Sequence, residues 1–254
     1  GRRWIVFFLL FLLPSCLTFA GGQEEKPGPL PIESVTVAED FDHVFQPEER
    51  GFLGADGASS VLLTENKSLW VFGDTTLGTI KQGKRQGPLV RNTIGILTVK
   101  PSGEKEVSYH WNLDDGLPGA FFHPDEWDAP YWYWPGCGVN VDGVVYLFLT
   151  KLEEPGGEGA FNFSTIGSEL FRVANPLDHP SEWKVTKRDF FPATDHLSFN
   201  SAAMVEGDFV YLLGHDDGPE EKGTERAGVL ARLPVAALED EDPAARIEYW
   251  SEDD

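Results

Sequence analysis

One pattern comes back three times along this chain. The run Leu69-Trp70-Val71-Phe72-Gly73-Asp74, rich in β-branched and aromatic residues, recurs as Val145-Tyr146-Leu147-Phe148-Leu149-Thr150 and as Val210-Tyr211-Leu212-Leu213-Gly214-His215. Before each copy stand a strand-like segment and a polar turn: Thr64 to Ser68, Asp142-Gly143, and Glu206-Gly207-Asp208. After each comes a third strand, Thr93 to Val99, Ser168 to Val173, and Gly228 to Leu233. Each unit closes on an aromatic segment: Tyr109-His110-Trp111, Glu182-Trp183-Lys184-Val185, and Ile247-Glu248-Tyr249-Trp250. A sheet of four short strands cannot bury both its faces alone, so such units must stack. The expected fold is all-β, and the repeat reads as three blades of a β-propeller.

Aligning Trp70, Tyr146 and Tyr211 gives separations of 76 and 65 residues, longer than the roughly 40 to 50 of interaction-type propellers. The excess falls in the loops Lys81 to Val90, Leu113 to Tyr133 and Glu153 to Gly167, and long loops on one face build sites. The alignment places Asp74, Thr150 and His215 in one ring, and Asp56, a residue near Pro135, and Asn200 in a second. Three blades do not close a ring, so residues 34–254 are expected to form a propeller that is truncated at its C-terminus.

With 41% apolar residues among 254, the chain can build a real core, while 27 Gly and 18 Pro favour many turns over helices. Its 20 Lys and Arg stand against 42 Asp and Glu, a net charge of -22. Such a field repels phosphate backbones, so nucleic acid and anionic membrane surfaces are poor partners and no nucleic acid is expected.

Residues 1–20 combine Arg2-Arg3, an apolar run from Trp4 to Leu13 and a small-residue site at Ala20. That is the form of a secretory signal peptide, too short for a stable membrane span, and it implies a secreted or periplasmic protein. Leu13-Pro14-Ser15-Cys16 also resembles a lipobox, in which Cys16 would carry a lipid. Residues 21–33 read as a polar linker, Ser34 to Val37 as a strand, and Ala38 to Gly51 as an acidic approach. Cys137 is then the one cysteine of the mature chain, expected as a small buried hydrophobe.

The chemistry concentrates in the first repeat. If the hairpin turn centres on Asn66-Lys67, Asp74 falls opposite Ser59, with Asp56 just beyond the strand at the same mouth. A regular pleat puts positions 56 and 59 on opposite faces, so the two carboxylates meet only if Gly57 or Gly73 allows a bend. The competing reading makes both turn residues bonded to their own backbone.

Asp56-Gly57-Ala58-Ser59-Ser60, Leu69 to Thr75 and Arg91-Asn92-Thr93 together resemble secreted bacterial five-bladed β-propellers long catalogued as a domain of unknown function. These include endo-D-arabinanases and stand near other arabinan- and fructan-cleaving propellers. The resemblance runs from about Phe41 to Trp250, and its most specific element is an Asp followed eighteen positions later by the Asp of Gly-Asp-Thr. It implies five blades when complete, Asp56 and Asp74 as catalytic carboxylates, and a furanosidic or related polysaccharide as substrate. Glycosidic cleavage does require two carboxyl groups, about 5 Å apart for retention and about 6.5 to 9.5 Å for inversion.

Four further groups are candidates for sugar contacts. In Tyr131-Trp132-Tyr133-Trp134 an extended chain puts Trp132 and Trp134 on one side and the tyrosines on the other. The tryptophans are either a stacking platform or blade-packing residues. Asn200 either reaches a substrate hydroxyl or caps a turn, Arg91 and Asn92 open a strand that faces the site or solvent, and His215 stands at a funnel position. His215-Asp216-Asp217 is a solvated turn or, alternatively, a calcium or water seat.

Other signals are weaker. The histidines show no metal-binding spacing, so no metal or other cofactor is expected. Gly156-Gly157-Glu158-Gly159 lacks the context of a phosphate loop, and there is no Gly-x-Ser-x-Gly elbow. Glu239-Asp240-Glu241-Asp242 reads as a solvated acidic loop. Two rival functions stand beside hydrolysis. One is a non-catalytic propeller that binds glycan or protein; the other is a lyase in which His215 or Tyr131 is the base.

Overall fold

The computed structural model describes residues 34–250, except 37, 42, 155, 157–161, 193–196, 217 and 219–226. The signal peptide, the lipobox Cys16, the linker and Asp217 therefore lie outside the described residues. Helical structure within them is confined to 3-10 turns, Glu39–Phe41, Pro180–Glu182, Val235–Glu239 and Pro243–Arg246. Among the described residues no helix is long and apolar enough to cross a membrane.

The three repeats are three four-stranded antiparallel meanders. The first comprises β2 (Ala58–Thr64), β3 (Lys67–Phe72), β7 (Thr93–Val99) and β8 (Lys105–His110); the second β11 (Tyr131–Val141), β12 (Val144–Glu153), β13 (Ser164–Val173) and β14 (Val185–Pro192); the third β15 (Leu197–Glu206), β16 (Phe209–Asp216), β17 (Ala227–Pro234) and β18 (Glu248–Tyr249). A smaller sheet joins β1 (Arg50–Ala55) to β4 (Thr75–Lys81), with β5 (Lys84–Gln86) and β6 (Leu89–Val90) on β4. The hairpin of β9 (Asn112–Asp114) and β10 (Leu117–Gly119) stands alone.

The large sheets stack through their first strands, β11 lying against both β2 and β15. Both faces of the second sheet are therefore covered, which explains why β12 is apolar almost throughout rather than alternating. Val145, Leu147 and Leu149 pack with Val61, Leu69, Val71, Ile94 and Tyr133 toward the first sheet. Tyr146 and Phe148 pack with Phe199, Val210, Leu212 and Leu233 toward the third. Each such side chain contributes about 1.5–3 kcal/mol on burial. Cys137 lies in this second core, where burial pushes its thiol up to about 12.

The second and third sheets come into close contact at Gly136 of β11. A Cβ there would fall 2.5 Å from Asn200 Cβ and 2.7 Å from Asn200 Cα on β15. Because the obstruction is backbone, Gly136→Ala is expected to destabilise the fold by about 1–3 kcal/mol. Denaturant unfolding checks this, and a midpoint equal to wild type would mean that the two strands are not in tight contact.

Several expectations are corrected. Ser34 to Thr36 form no strand. The first hairpin turns at Glu65-Asn66, since Thr64 pairs with Lys67, and a bulge between Leu62 and Thr64 sets Ser59 opposite Val71 rather than Asp74. The last strand of the second meander begins at Val185, because Pro180 lacks an N–H and starts a 3-10 turn instead. Glu239 of the acidic loop is exposed, as expected, but it is also tied down. Its carboxylate accepts from Tyr146 Oη and from Arg172 Nε at 2.7 Å, and faces Arg188 at 3.6 Å, tying the turn after β17 to the second sheet. These donors hold the Glu239 carboxyl below the usual range.

Candidate functional site

Asp56 and Asp74 occupy the two links between the small sheet and the first meander. Asp56-Gly57 connects β1 to β2, and Gly73-Asp74 connects β3 to β4. Because β1 pairs with β4 (Ala55 opposite Thr75) and β2 with β3 (Ala58 opposite Phe72), the links run side by side. The Asp56 N–H donates to the Asp74 carbonyl at 3.1 Å, and the Gly73 N–H lies 2.9 Å from the Asp56 carbonyl and 3.1 Å from that of Gly57. Gly57 supplies the bend that brings the carboxylates to one place, with φ +50 in the left-handed region. Beneath them Thr75 is fully buried, its hydroxyl 2.8 Å from the Gly73 carbonyl and 3.0 Å from Thr93 Oγ1.

The Asp56 carboxylate lies over Gly73: a Cβ at that position would fall 2.5 Å from Asp56 Oδ1. Partial burial, then the negative charge of Asp74, raise the Asp56 carboxyl above the usual range. Asp74 Oδ1 accepts the Trp134 indole N–H at 2.9 Å, and Oδ2 faces Arg91 Nη1 at 3.5 Å. The Arg91 guanidinium in turn stacks on Trp132, 4.1 Å from the ring centre. Trp132, Trp134 and Phe163 meet edge-on, with centroids 6.4, 6.5 and 4.7 Å apart. The buried indole N–H of Trp132 has no acceptor among the described residues.

Thus Asp56, Asp74, Arg91, Trp132 and Trp134 form one cluster. The tyrosines of the same strand turn the other way. Tyr133 is buried and donates to Glu169 Oε2 at 2.8 Å, Glu169 pairs with Lys151 at 3.0 Å, and Lys151 sits over Tyr131 at 4.1 Å. Burial and the Glu169 charge raise the Tyr133 phenol far above its usual range, which keeps it protonated.

Three expected contacts fall elsewhere. Asn92 is fully buried, and its side-chain amide donates to the Phe122 and Tyr133 carbonyls at 2.8 and 2.9 Å while accepting from the Phe122 N–H at 2.7 Å. It is a structural residue beneath the site rather than a group facing substrate. Asn200 donates to Thr150 Oγ1 at 3.2 Å, and Thr150 stands opposite Trp134, so Asn200 adjoins the rim without touching the carboxylates. His215, across β16 from Ser198 and Gly228, is not among the groups bonded to Asp74. Phe163 and Thr75 are members that sequence reasoning missed. No group of three or more His, Cys, Asp or Glu close enough to hold a metal occurs among the described residues. A separate cavity of about 460 Å³ is bordered by Lys151, Ser168, Phe190, Glu241 and Asp242, among others, and includes neither carboxylate of the pair.

Gly73 makes the Asp56 position testable. The atom that a Gly73→Ala methyl would meet is the tip of a flexible side chain, so stability should change by less than about 1 kcal/mol. The Asp56 carboxylate must move, and its NMR titration should shift. An unchanged Asp56 titration would show that its carboxylate does not rest on Gly73.

A model of a domain of unknown function, DUF5005, matches residues 38–254. The chain belongs to this family. No curated protein matches it. Among solved structures it is similar to one described as a "putative hydrolase" from Bacteroides ovatus ATCC 8483, at 16% identity with a TM-score of 0.60. The match covers 84% of this chain and 54% of the other, so the chain spans just over half the length of that structure. At this identity the likeness shows a shared fold and no more.

Proposed function

We propose that this member of the DUF5005 family is a secreted glycoside hydrolase that cleaves a furanosidic or related polysaccharide between Asp56 and Asp74. The meanders would be successive blades of a β-propeller, five-bladed when complete. Their stacking through first strands supports this reading. The observation that carries the function is the carboxylate pair itself, juxtaposed by two glycine-containing links and faced by tryptophans.

The environments of the two groups divide their roles. Asp56, raised by burial and by its neighbour's charge, keeps its proton to higher pH and serves as the general acid. Its proton passes to the glycosidic oxygen as the bond from that oxygen to the anomeric carbon breaks, releasing an alcohol. Asp74, anchored by Trp134 and Arg91, supplies the negative charge opposite. It either bonds to the anomeric carbon or takes a proton from the water that adds there. Trp132, Trp134 and Phe163 offer apolar ring surface to sugar C–H faces. The name of the Bacteroides structure agrees with hydrolysis.

The test is sugar release from a panel of plant and bacterial polysaccharides by wild type and by a folded Asp56→Asn/Asp74→Asn double variant. Release from one polymer by wild type alone supports the mechanism. A polymer that both proteins retain on an affinity gel and neither cleaves would replace it with a glycan-binding module.

A further inference from the structure

The small sheet that grows out of the carboxylate pair carries an unusual charge arrangement. β4 starts at Thr75, next to Asp74, and runs to Lys81; the chain then turns through Gln82 and Gly83, at φ +53 and +73, into β5. Positive φ at both turn residues marks a tight two-residue hairpin whose twist matches its strands. The residues it sets directly opposite each other are Lys81 and Lys84. Like charges so placed destabilise a hairpin, and both side chains are exposed, so no packing compensates.

Arg85 follows, also exposed, and its guanidinium reaches back along the sheet to Gly54, two residues before Asp56. A Cβ on Gly54 would lie 2.8 Å from Arg85 Nη1, so the absence of a side chain there makes the guanidinium's seat. Lys81, Lys84 and Arg85 pair with no carboxylate among the described residues, although Glu49, whose carbonyl accepts from the Ile80 N–H, stands on the same edge. Several cations elsewhere in this acidic chain have carboxylate partners: Lys100 with Glu104 and Glu106, Lys151 with Glu169, Arg172 with Glu239, Lys187 with Asp125. The net charge of -22 does not cancel the hairpin locally, since charges more than about 8 Å away are screened at physiological salt.

We propose that the β4–β5 hairpin is an anion-binding subsite and that the polysaccharide is acidic. Carboxylate or sulfate groups along it meet Lys81, Lys84 and Arg85 while one glycosidic bond lies at Asp56 and Asp74. This rests on the sugar-cleaving reading of the pair and names its substrate class. From Thr75 to Lys81 a strand spans about 20 Å, so a ligand that touches both ends is a polymer, with Arg85 between them.

The experiment is affinity electrophoresis of the full chain through gels containing polygalacturonate, dextran sulfate or neutral dextran. Wild type, a Lys81→Gln/Lys84→Gln/Arg85→Gln variant and an Asp56→Asn/Asp74→Asn variant are compared. Wild type and the Asp double variant should be retarded by one acidic polymer and not by dextran, and carboxylate is told from sulfate by which. The triple variant should bind about tenfold more weakly, and retardation should fade as salt rises. Equal retardation of wild type and the triple variant, equal binding of dextran, or no binding of either acidic polymer overturns the subsite. Acidic polymer held through the hairpin but never cleaved leaves the subsite standing and removes the hydrolase. Cleavage of a neutral polymer, unaffected by the triple variant, does the reverse.

Discussion

Asp74→Asn is expected to lower kcat on the cleaved polysaccharide by about a thousandfold while KM changes little. Asparagine keeps the shape of the side chain and an oxygen for the Trp134 N–H, so the 2.9 Å bond survives and the fold with it. What disappears is the charge that faces Arg91 and the anomeric centre. The same substitution acts on Asp56, because the Asp74 charge is the second of the two causes that raise its carboxyl, after burial. With that charge gone the Asp56 value falls toward the ordinary carboxylate range, since an acid beside an anion resists ionising and an acid beside a neutral amide does not. An NMR titration of the Asp56 carboxyl in the variant should therefore midpoint at lower pH than in wild type. Two results separate chemistry from scaffold. A kcat within tenfold of wild type removes Asp74 from the reaction, and an Asp56 titration that stays in place shows that the two carboxylates are not electrostatically coupled.

That Asp56 and Asp74 could be expected to meet, while Arg91, Trp132 and Trp134 could be named as candidates but not given their contacts, has a physical reason. Asp56-Gly57 and Gly73-Asp74 carry their signal locally, as a charge beside a residue that tolerates a bend, and Gly57 does adopt the left-handed conformation. The middle strands of the meanders were equally legible, since a run such as Val145 to Leu149 is apolar because both its faces are covered. Register was not, because the bulge between Leu62 and Thr64 shifts the pairing by a count that no residue type announces. β1 and β4 were missed because glycine and threonine interrupt their apolar pattern and they pair across the first hairpin. Trp134 reaches Asp74 across sixty positions, and Phe163 joins the tryptophans from a loop whose sequence shows no strand pattern. Contacts of that range depend on how sheets stack, and stacking is settled by the whole core rather than by any one segment.

Asn92 illustrates the difference between standing near a site and acting in it, and its removal should have the largest effect on stability. Asn92→Ala deletes three hydrogen bonds at once, leaving the Phe122 carbonyl, the Tyr133 carbonyl and the Phe122 N–H in a place where the asparagine is fully buried. A buried polar group without a partner costs about 1–3 kcal/mol. Tyr133 is itself in a β ladder with Lys151, so the loss at its carbonyl is the smallest of the three. A net destabilisation of about 4 kcal/mol follows, which in a chain of this size lowers Tm by roughly 10 °C. Asn92→Asp should be no better, because it aims a carboxylate oxygen at two carbonyls in a fully buried place. Arg91→Ala, one residue away but half-exposed and paired at 3.5 Å, should change stability by less than about 1 kcal/mol. The contrast between neighbours is the measurement: circular dichroism melts in which residue 92 variants unfold early and the residue 91 variant does not. A melting point for Asn92→Ala within about 2 °C of wild type would return Asn92 to the substrate side of the strand. With the expected drop, the amide is the pin that holds β7, the segment at Phe121-Phe122 and the Trp132-Trp134 strand in one arrangement. Trp134 can meet Asp74 only while that arrangement holds.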